Sequence, residues 1–303
     1  MIADPLRRPA PLRPGDTVAV IAPSGQVDPD RLRLGGKVLE SFGLTVAFGE
    51  HVLDRTGGYL AGTDAARAGD FTRAWRDTEV SAVICARGGY GAMRMLDLVD
   101  WDGLAGMPPK LFVGASDVTA LHEAIGSRLS VATLFGPMVA TAAVAHAEEW
   151  SMAAYKAALF GEWSGMCVYA EEPAVLNPGS TSGITAGGNL SLLAATVGSG
   201  TSRPAAEAIL LLEDVREEPY RIDRLLTQLH RSDWFDQVAA VALGTWTECG
   251  DPAAVVDVLR DRLCPLGVPV LGGFPFGHGS RQASIPLGVE AVLDTGAAAL
   301  RIR

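Results

Sequence analysis

Hydrophobic positions in the first half of the chain fall alternately into short continuous runs and longer stretches with helical spacing. Continuous apolar runs, typical of buried β-strands, cover 17–22, 44–48, 80–86 and 111–113. Helical spacing covers 30–42 and 63–77, and Thr63 is suited to cap the second of these helices. Strands that are apolar on both faces and alternate with helices predict a parallel sheet covered on both sides, and therefore an α/β fold.

The character of the sequence changes after residue 160. Residues 140–159 are rich in alanine and predict a helix, whereas 161–185 are rich in Gly, Pro and Ser, which is typical of a linker or crossover. Further on, helical patterns cover 190–197, 222–231 and 254–263, and strand-like runs cover 208–212, 238–243, 268–271 and the surroundings of Ala291 and Leu300. We therefore predict an N-terminal α/β domain over 1–160, a linker over 161–182 and a C-terminal domain over 183–303.

Composition and charge exclude several classes of function. A chain of 303 residues, 48% hydrophobic and 20% charged, suits a folded protein with two domains. Its net charge of −10, with no Lys/Arg-rich patch, makes nucleic acid an unexpected partner. No apolar stretch approaches the roughly 18 residues of a membrane span, and no signal-peptide pattern opens the chain. The 4 cysteines are scattered, so we expect a reduced, cytoplasmic protein without structural zinc.

A serine stands where a predicted strand meets a predicted helix. The run 111–113 leads into residues 114–117, and helical spacing begins at Val118. A serine in this bend lies beside the free N–H groups of a new helix, which suits a nucleophile and its oxyanion donors. The alternative is that Ser116 is only an N-cap, since serine is favoured there. Val118 also replaces the second glycine of the Gly-x-Ser-x-Gly elbow.

A glycine-rich loop, Arg87-Gly88-Gly89-Tyr90-Gly91, follows the predicted strand 80–86. It matches neither the dinucleotide-binding nor the P-loop pattern, so nucleotide binding is not favoured. Closely spaced glycines do allow backbone N–H groups to approach a ligand. Because parallel strands present their carboxyl ends at one edge of a sheet, the amides of Gly89 and Asp117 are candidates for a pair of oxyanion donors.

Of the five histidines, His278 has the most informative surroundings. Glycines stand on both sides of it, which indicates a shaped loop, although an ordinary surface histidine is the alternative. His122 follows Ser116 by six positions on one predicted helix, so the two side chains point to different faces. No motif surrounds the other three: His51, His146 and His230.

Candidate polar partners stand at the ends of other predicted elements. Glu213 and Asp214 close the apolar run 209–212, where a carboxylate can orient an imidazole and stabilise its cation. Each could equally mark the point where the strand meets water. Asn189 stands at a Gly-Gly turn before a predicted helix, either as a cap or as a ligand-binding amide.

Taken in order, these motifs resemble the LD-carboxypeptidase family of serine peptidases, which includes the microcin C self-immunity peptidases. The resemblance covers nearly the whole chain. Its segments are 19–25, 87–91, 112–119, 187–190, 212–215, 219–224, 277–278 and 285–288. Ala115 departs from the pattern, because an aromatic residue is expected before the serine. The departure bears on the shape of the substrate pocket more than on catalysis.

The resemblance implies a Ser-Glu-His triad of Ser116, Glu213 and His278, with backbone oxyanion donors at Asp117 and Gly89. It also implies an N-terminal parallel sheet flanked by helices, a smaller β-rich C-terminal domain, and an active site between them. The implied substrate is a muropeptide tetrapeptide that loses its C-terminal D-Ala in cytoplasmic cell-wall recycling. No metal and no organic cofactor is implied, and the assembly expected is a homodimer.

Three other functions stay open at this point. The same chemistry would serve on a peptidyl-nucleotide antibiotic, although residues 213–224 look closer to the muropeptide enzymes. A non-catalytic muropeptide sensor is disfavoured because all three triad positions are filled. An oxidoreductase of the Rossmann type is disfavoured because the glycine fingerprint is missing. The arginine that binds the terminal carboxylate is also open, with Arg87 and Arg221 as candidates.

Overall fold

The computed structural model describes residues 5–141, 144 and 148–303. Its strands are β1 (Thr17–Ile21), β2 (Thr45–Phe48), β3 (Val80–Cys85), β4 (Leu111–Gly114), β5 (Thr133–Phe135), β6 (Cys167–Tyr169), β7 (Ala174–Asn177), β8 (Ser180–Asn189), β9 (Ala208–Val215), β10 (Ala240–Thr247), β11 (Val270–Gly272), β12 (Ile285–Leu287), β13 (Glu290–Asp294) and β14 (Ala299–Ile302). Its main helices are α1 (Pro29–Ser41), α2 (Asp64–Arg76), α3 (Ala92–Met95), α4 (Trp101–Ala105), α5 (Thr119–Leu129), α6 (Glu149–Phe160), α7 (Leu190–Thr196), α8 (Pro219–Arg231) and α9 (Pro252–Leu263).

The first sheet has the six-stranded order β12-β5-β4-β3-β1-β2. Strands β1 to β5 are parallel, and every residue of β4 is buried, as expected for a sheet covered on both faces. Strand β12 arrives from the far C-terminal part of the chain and pairs antiparallel with β5. Neither β5 nor β12, each of which is three residues long, was predicted from the sequence.

The second sheet has the eight-stranded order β6-β14-β13-β8-β9-β10-β11-β7. Its centre, β8 to β11, is parallel, and the flanking strands are antiparallel. Residues 161–182, predicted as a linker, contain β6, β7 and the start of β8. Strands β6 (3 residues) and β7 (4 residues) are short and partly exposed, and they lie within the Gly-, Pro- and Ser-rich stretch that was interpreted as a linker. The two-sheet α/β architecture predicted from the sequence is confirmed; the domain limits stay a prediction.

Most predicted helices form where the periodicity placed them. Thr63 caps α2, accepting a hydrogen bond from the Ala66 amide at 3.2 Å. Within the predicted helix 140–159, α6 begins at Glu149, while 142–143 and 145–147 lie outside the described residues. In the described part of the chain, no helix is both long and apolar enough to cross a membrane.

Helix α1 packs unusually close to the segment that follows β5. A Cβ on Gly35 would lie 1.9 Å from the carbonyl oxygen of Val139, so no side chain fits there. The adjacent Gly36 faces a softer neighbour, since a Cβ there would lie 3.0 Å from the ring of the exposed Phe48. Met138 and Ala140, on either side of Val139, line the cavity described below.

We predict that Gly35→Ala lowers the free energy of unfolding by about 1–3 kcal/mol, because α1 must move away from a backbone atom. Gly36→Ala is the matched control. It gains helix propensity of about 1 kcal/mol and only displaces an exposed ring, so its stability should stay equal or rise. Urea unfolding of both variants measures the difference. Equal stability of the two would contradict the close packing of α1.

Candidate active site

Ser116 occupies a strained turn between β4 and α5. Its φ is 62°, a left-handed value that a non-glycine residue adopts at some cost and that occurs often at functional sites. The residue opens a short 3₁₀ helix, Ser116–Val118, and its side chain caps neither this helix nor α5. The N-cap alternative therefore does not account for Ser116.

The glycine loop 87–91 packs directly against this turn. A Cβ on Gly88 would lie 2.8 Å from Cβ of Ser116 and 3.3 Å from the amide nitrogen of Asp117. Only glycine allows that approach. Gly89, with a φ of 117°, follows in the same loop. The two predicted oxyanion donors thus belong to adjoining strand ends, as the parallel sheet required.

Several buried groups hold the glycine loop in place. The Asp117 carboxylate, in a residue only 2% exposed, accepts a hydrogen bond from the Ala92 amide at 2.8 Å. Arg67 donates to the carbonyl of Gly91 at 2.6 Å, and the Gly25 amide donates to the carbonyl of Gly88 at 3.1 Å. Burial raises the pKa of Asp117, and the hydrogen bond from Ala92 counteracts this. Asp117 therefore fixes the loop through its side chain, while its amide nitrogen lies close to Gly88.

His278 and Glu213 form the closest polar pair of the site. Nδ1 of His278 lies 2.6 Å from Oε2 of Glu213, whose side chain is 0% exposed, against 26% for the imidazole. Thr245 Oγ1 accepts hydrogen bonds from the amides of His278, at 2.9 Å, and Gly279, at 3.2 Å. A Cβ on Gly277 would lie 2.7 Å from Oε2 of Glu213, so glycine is required there. The imidazole is thereby fixed with Nε2 available for other partners.

Asn189 connects the end of β8 to this pair. Its Nδ2 donates to Oε1 of Glu213 at 3.3 Å and to Oδ1 of Asp214 at 2.9 Å, while its Oδ1 caps α7. Asp214 accepts further hydrogen bonds from the amide and hydroxyl of Ser191, at 2.9 and 2.7 Å. Of the two roles considered for Asn189 in the sequence, the helix cap is the one observed. The side-chain amide of Asn189 also orients the carboxylate of Glu213.

The electrostatic surroundings favour a protonated His278. Burial alone would lower its pKa, but the hydrogen bond to Glu213 and the negative charges of Glu213 and Asp214 outweigh this and raise it. Burial raises the pKa of the Glu213 carboxyl, while the hydrogen bonds from His278 and Asn189 counteract the rise. An imidazolium is therefore stabilised here more than in water.

Two cavities meet beside His278. The first, which we call the arginine cavity, has a volume of about 280 Å³ and contains Ser116 and His278 in its wall. Its other lining residues are Asp28, Arg31, Arg87, Gly88, Gly89, Met138, Ala140 and Thr141.

The second cavity, which we call the glycine-lined cavity, has a volume of about 440 Å³. It is lined by Ala115, Gly136, Met138, Thr141, Glu148, Gly277, His278, Gly279, Ser280 and Gln282. The small Ala115, noted in the sequence as a departure, faces this larger space.

The remaining histidines lie outside this arrangement. His122 is buried, with Nε2 2.9 Å from the carbonyl of Gly114 and Nδ1 2.7 Å from Thr133 Oγ1. Burial lowers its pKa to about 4, so it is a neutral structural histidine. His51 pairs with Asp54, and His230 contacts the carbonyl of Arg262. His146 lies outside the described residues.

Sequence reasoning missed Arg31, Met138 and Thr141, which belong to no motif and reach the site only through folding. Arg221, named in the sequence as a possible carboxylate-binding residue, lines neither cavity. It lies exposed on α8, 3.8 Å from Glu217. Nowhere in 5–141, 144 or 148–303 do three or more His, Cys, Asp or Glu side chains form a group that could hold a metal ion.

Comparison with known proteins matches both halves of the chain. Models of the LD-carboxypeptidase N-terminal and C-terminal domains match residues 18–136 and 182–293. A Streptomyces coelicolor protein that is provisionally named a carboxypeptidase is 48% identical to this chain. The match covers 98% of this chain and 96% of the Streptomyces protein. The murein tetrapeptide carboxypeptidase of Pseudomonas aeruginosa is 32% identical, over 91% of this chain and 92% of its own.

More distant relatives show how far the likeness extends. The microcin C7 self-immunity protein MccF of Escherichia coli is 27% identical, over 94% of this chain and 92% of its own. The crystal structure of muramoyltetrapeptide carboxypeptidase from Oxalobacter formigenes is 28% identical, with a TM-score of 0.81, covering 94% of this chain and 97% of that one. Both domain models thus match in order and the fold is shared throughout, so this chain belongs to the LD-carboxypeptidase family and is a serine-type carboxypeptidase.

Proposed function

We propose that this enzyme releases the C-terminal D-Ala from muropeptide tetrapeptides by a Ser-Glu-His acyl-enzyme mechanism. The observation that carries the proposal is the buried Glu213–His278 hydrogen bond beside a cavity that also contains the strained Ser116. The murein tetrapeptide carboxypeptidase among the relatives supports the substrate. The family resemblance further supports a cytoplasmic homodimer acting in cell-wall recycling.

In the acylation step, Nε2 of His278 takes the proton of Ser116 Oγ as this oxygen attacks the carbonyl carbon of the L-configured residue. The carbonyl oxygen becomes an oxyanion, which the amides of Gly89 and Asp117 bind. Glu213 orients the imidazole through Nδ1 and stabilises the imidazolium that forms. The C–N bond then breaks as His278 gives its proton to the amine of D-Ala, leaving an ester on Ser116.

In the deacylation step, His278 takes a proton from water, and the resulting hydroxide attacks the ester carbon. The same oxyanion donors serve again, and the proton on Nε2 returns to Ser116 Oγ as the ester bond breaks. The products are the tripeptide acid and the free enzyme. All proton transfers in the cycle use one imidazole nitrogen, which requires the ring to stay fixed. The contacts of His278 with Glu213 and Thr245 supply that constraint.

A second candidate substrate is a peptidyl nucleotide. The observation that favours it is the similarity to MccF over nearly the whole chain. The acyl-transfer chemistry at Ser116 would be unchanged, so the two substrates differ in the groups bound on either side of the scissile bond. Parallel assays on a muropeptide tetrapeptide and on an aminoacyl sulfamoyl nucleoside discriminate between them. Turnover of the nucleoside alone would reject the muropeptide proposal.

We predict that Ser116→Ala lowers D-Ala release by at least about 10⁴-fold, because it removes the hydroxyl that forms the ester. The measurement is D-Ala release from a purified tetrapeptide in the presence of EDTA. The matched control is Ser127→Ala on α5, whose hydroxyl donates a hydrogen bond to the carbonyl of Ala124 at 3.2 Å. The control should keep full activity. Normal turnover by Ser116→Ala would reject Ser116 as the nucleophile, and tetrapeptide binding by wild type without hydrolysis would indicate a sensor.

We predict that kcat/KM rises with pH through a midpoint above about 6.5, the ordinary histidine value, since His278 must be neutral to act as a base. Its raised pKa keeps it protonated to higher pH than usual. Glu213→Gln removes the charge that raises this pKa, so the midpoint should move down while kcat/KM falls, by about 10⁴-fold if it follows other triads. A pH profile of both enzymes measures this. An unchanged midpoint in Glu213→Gln would contradict the pairing.

A further inference from the structure

Two arginines that form no ion pair with another described residue face the cavity that contains Ser116. Building on the proposed function, we propose that Arg31 and Arg87 form a subsite for the C-terminal carboxylate of the substrate. The leaving D-amino acid would then occupy the arginine cavity. A carboxypeptidase must distinguish a chain end from an internal peptide bond, and an arginine fork is well suited to hold that carboxylate.

Arg87 is held in a fixed position by backbone groups. Its Nη1 donates to the carbonyl of Gln26 at 2.9 Å, and its Nε donates to the carbonyl of Gly88 at 3.2 Å. Nη2 is left for another partner, and among the described residues Arg87 forms no ion pair. Because the same loop continues into Gly89, a carboxylate on Arg87 would lie close to the predicted oxyanion donor. Binding and chemistry are thereby coupled through one loop.

Arg31 reaches the cavity from the first turn of α1. The backbone amides of Asp30 and Arg31 each donate a hydrogen bond to Oδ1 of Asp28, both at 3.0 Å. Asp28 thereby caps the N-terminus of α1. The Arg31 guanidinium forms no ion pair with another described residue, whereas Arg33, two positions on, lies 3.7 Å from Asp30. The N-terminus of this 13-residue helix adds a partial positive charge at the same place.

The charge balance of the cavity supports an anionic ligand. The whole chain carries a net charge of −10, yet this cavity has two arginines and one carboxylate, Asp28, in its wall. That carboxylate already accepts two backbone hydrogen bonds. The hydrogen bond from the Arg31 amide is the main cause of the lowered pKa of Asp28, and the positive charge of Arg31 lowers this pKa further. One net positive charge thus remains in the wall beside Ser116.

The carboxylate could come from two parts of a muropeptide. One is the C-terminal D-Ala, and the other is the side chain of a diaminopimelate residue at the third position. We commit to the terminal carboxylate, because Ser116 and the arginines share one cavity while the larger glycine-lined cavity is free for the acyl side chain. A tetrapeptide with lysine in place of diaminopimelate at the third position has no side-chain carboxylate. Such a peptide therefore distinguishes between the two sources of the carboxylate.

The experiment compares tetrapeptides that have L-Lys at the third position and either a free or an amidated C-terminus. Wild type should cleave the free acid far better than the amide. Arg31→Gln should lower kcat/KM for the free acid by roughly 10- to 100-fold, the effect of a charged hydrogen bond, and change the amide little. Arg31→Lys should restore part of the loss. Arg33→Gln, on the same helix, should behave as wild type.

Two results would overturn the subsite. One is a wild type that cleaves acid and amide equally. The other is an Arg31→Gln variant that keeps the preference for the acid on the lysine peptide, even if it loses activity on diaminopimelate peptides. Arg87→Gln gives a second test, although its backbone contacts also hold the glycine loop.

A binding measurement keeps the subsite separate from the proposed function. Calorimetry with Ser116→Ala and the same two peptides needs no turnover. Ser116→Ala should bind the free acid more tightly than the amide, and the double variant with Arg31→Gln should lose this difference. That result would support the subsite even if wild type released no D-Ala. Equal affinity for acid and amide, or no binding of either, would reject it.

Discussion

The hydrogen bond between His278 and Glu213 is the interaction around which the rest of the site is arranged. A carboxylate with no exposed surface is costly to ionise unless other groups hydrogen-bond to it. Glu213 has two such groups, the imidazole of His278 and the amide of Asn189. Asn189 is itself held by Asp214, which also accepts hydrogen bonds from the amide and hydroxyl of Ser191 in α7. The geometry at the imidazole thus depends on a chain of polar contacts that runs from Glu213 through Asn189 and Asp214 to Ser191.

Close backbone approach is the second constraint on the site. Gly88 lets a loop of the first sheet touch Ser116, and Gly277 lets the loop of His278 pass beside Glu213. Any side chain at either position would overlap atoms of the predicted triad. The glycines therefore set distances between side chains that belong to other elements. This explains why glycine-rich motifs, and not charged residues alone, were informative in the sequence.

The elements with strong periodicity were predictable, and so were residues flanked by distinctive turns. The strands β1, β3 and β4 are continuous apolar runs, and Ser116, Glu213 and His278 each stand at the end of a run or between glycines. The missed strands, such as β7 and β12, are short and take their conformation from pairing with a neighbour. Arg31 could not be found because its role depends on where α1 lies. Only tertiary contact carries that information, as at Gly35 and Val139.

The path of the chain after His278 has a mechanical consequence. The loop leaves β11 in the second sheet, carries His278, and enters β12, which is hydrogen-bonded to β5 in the first sheet. His278 is thus anchored in one sheet before it and in the other after it. A hinge that opened the halves widely would have to break the β5–β12 ladder. The ladder therefore limits how far His278 can move away from Ser116, which follows β4 in the same sheet as β5 and β12.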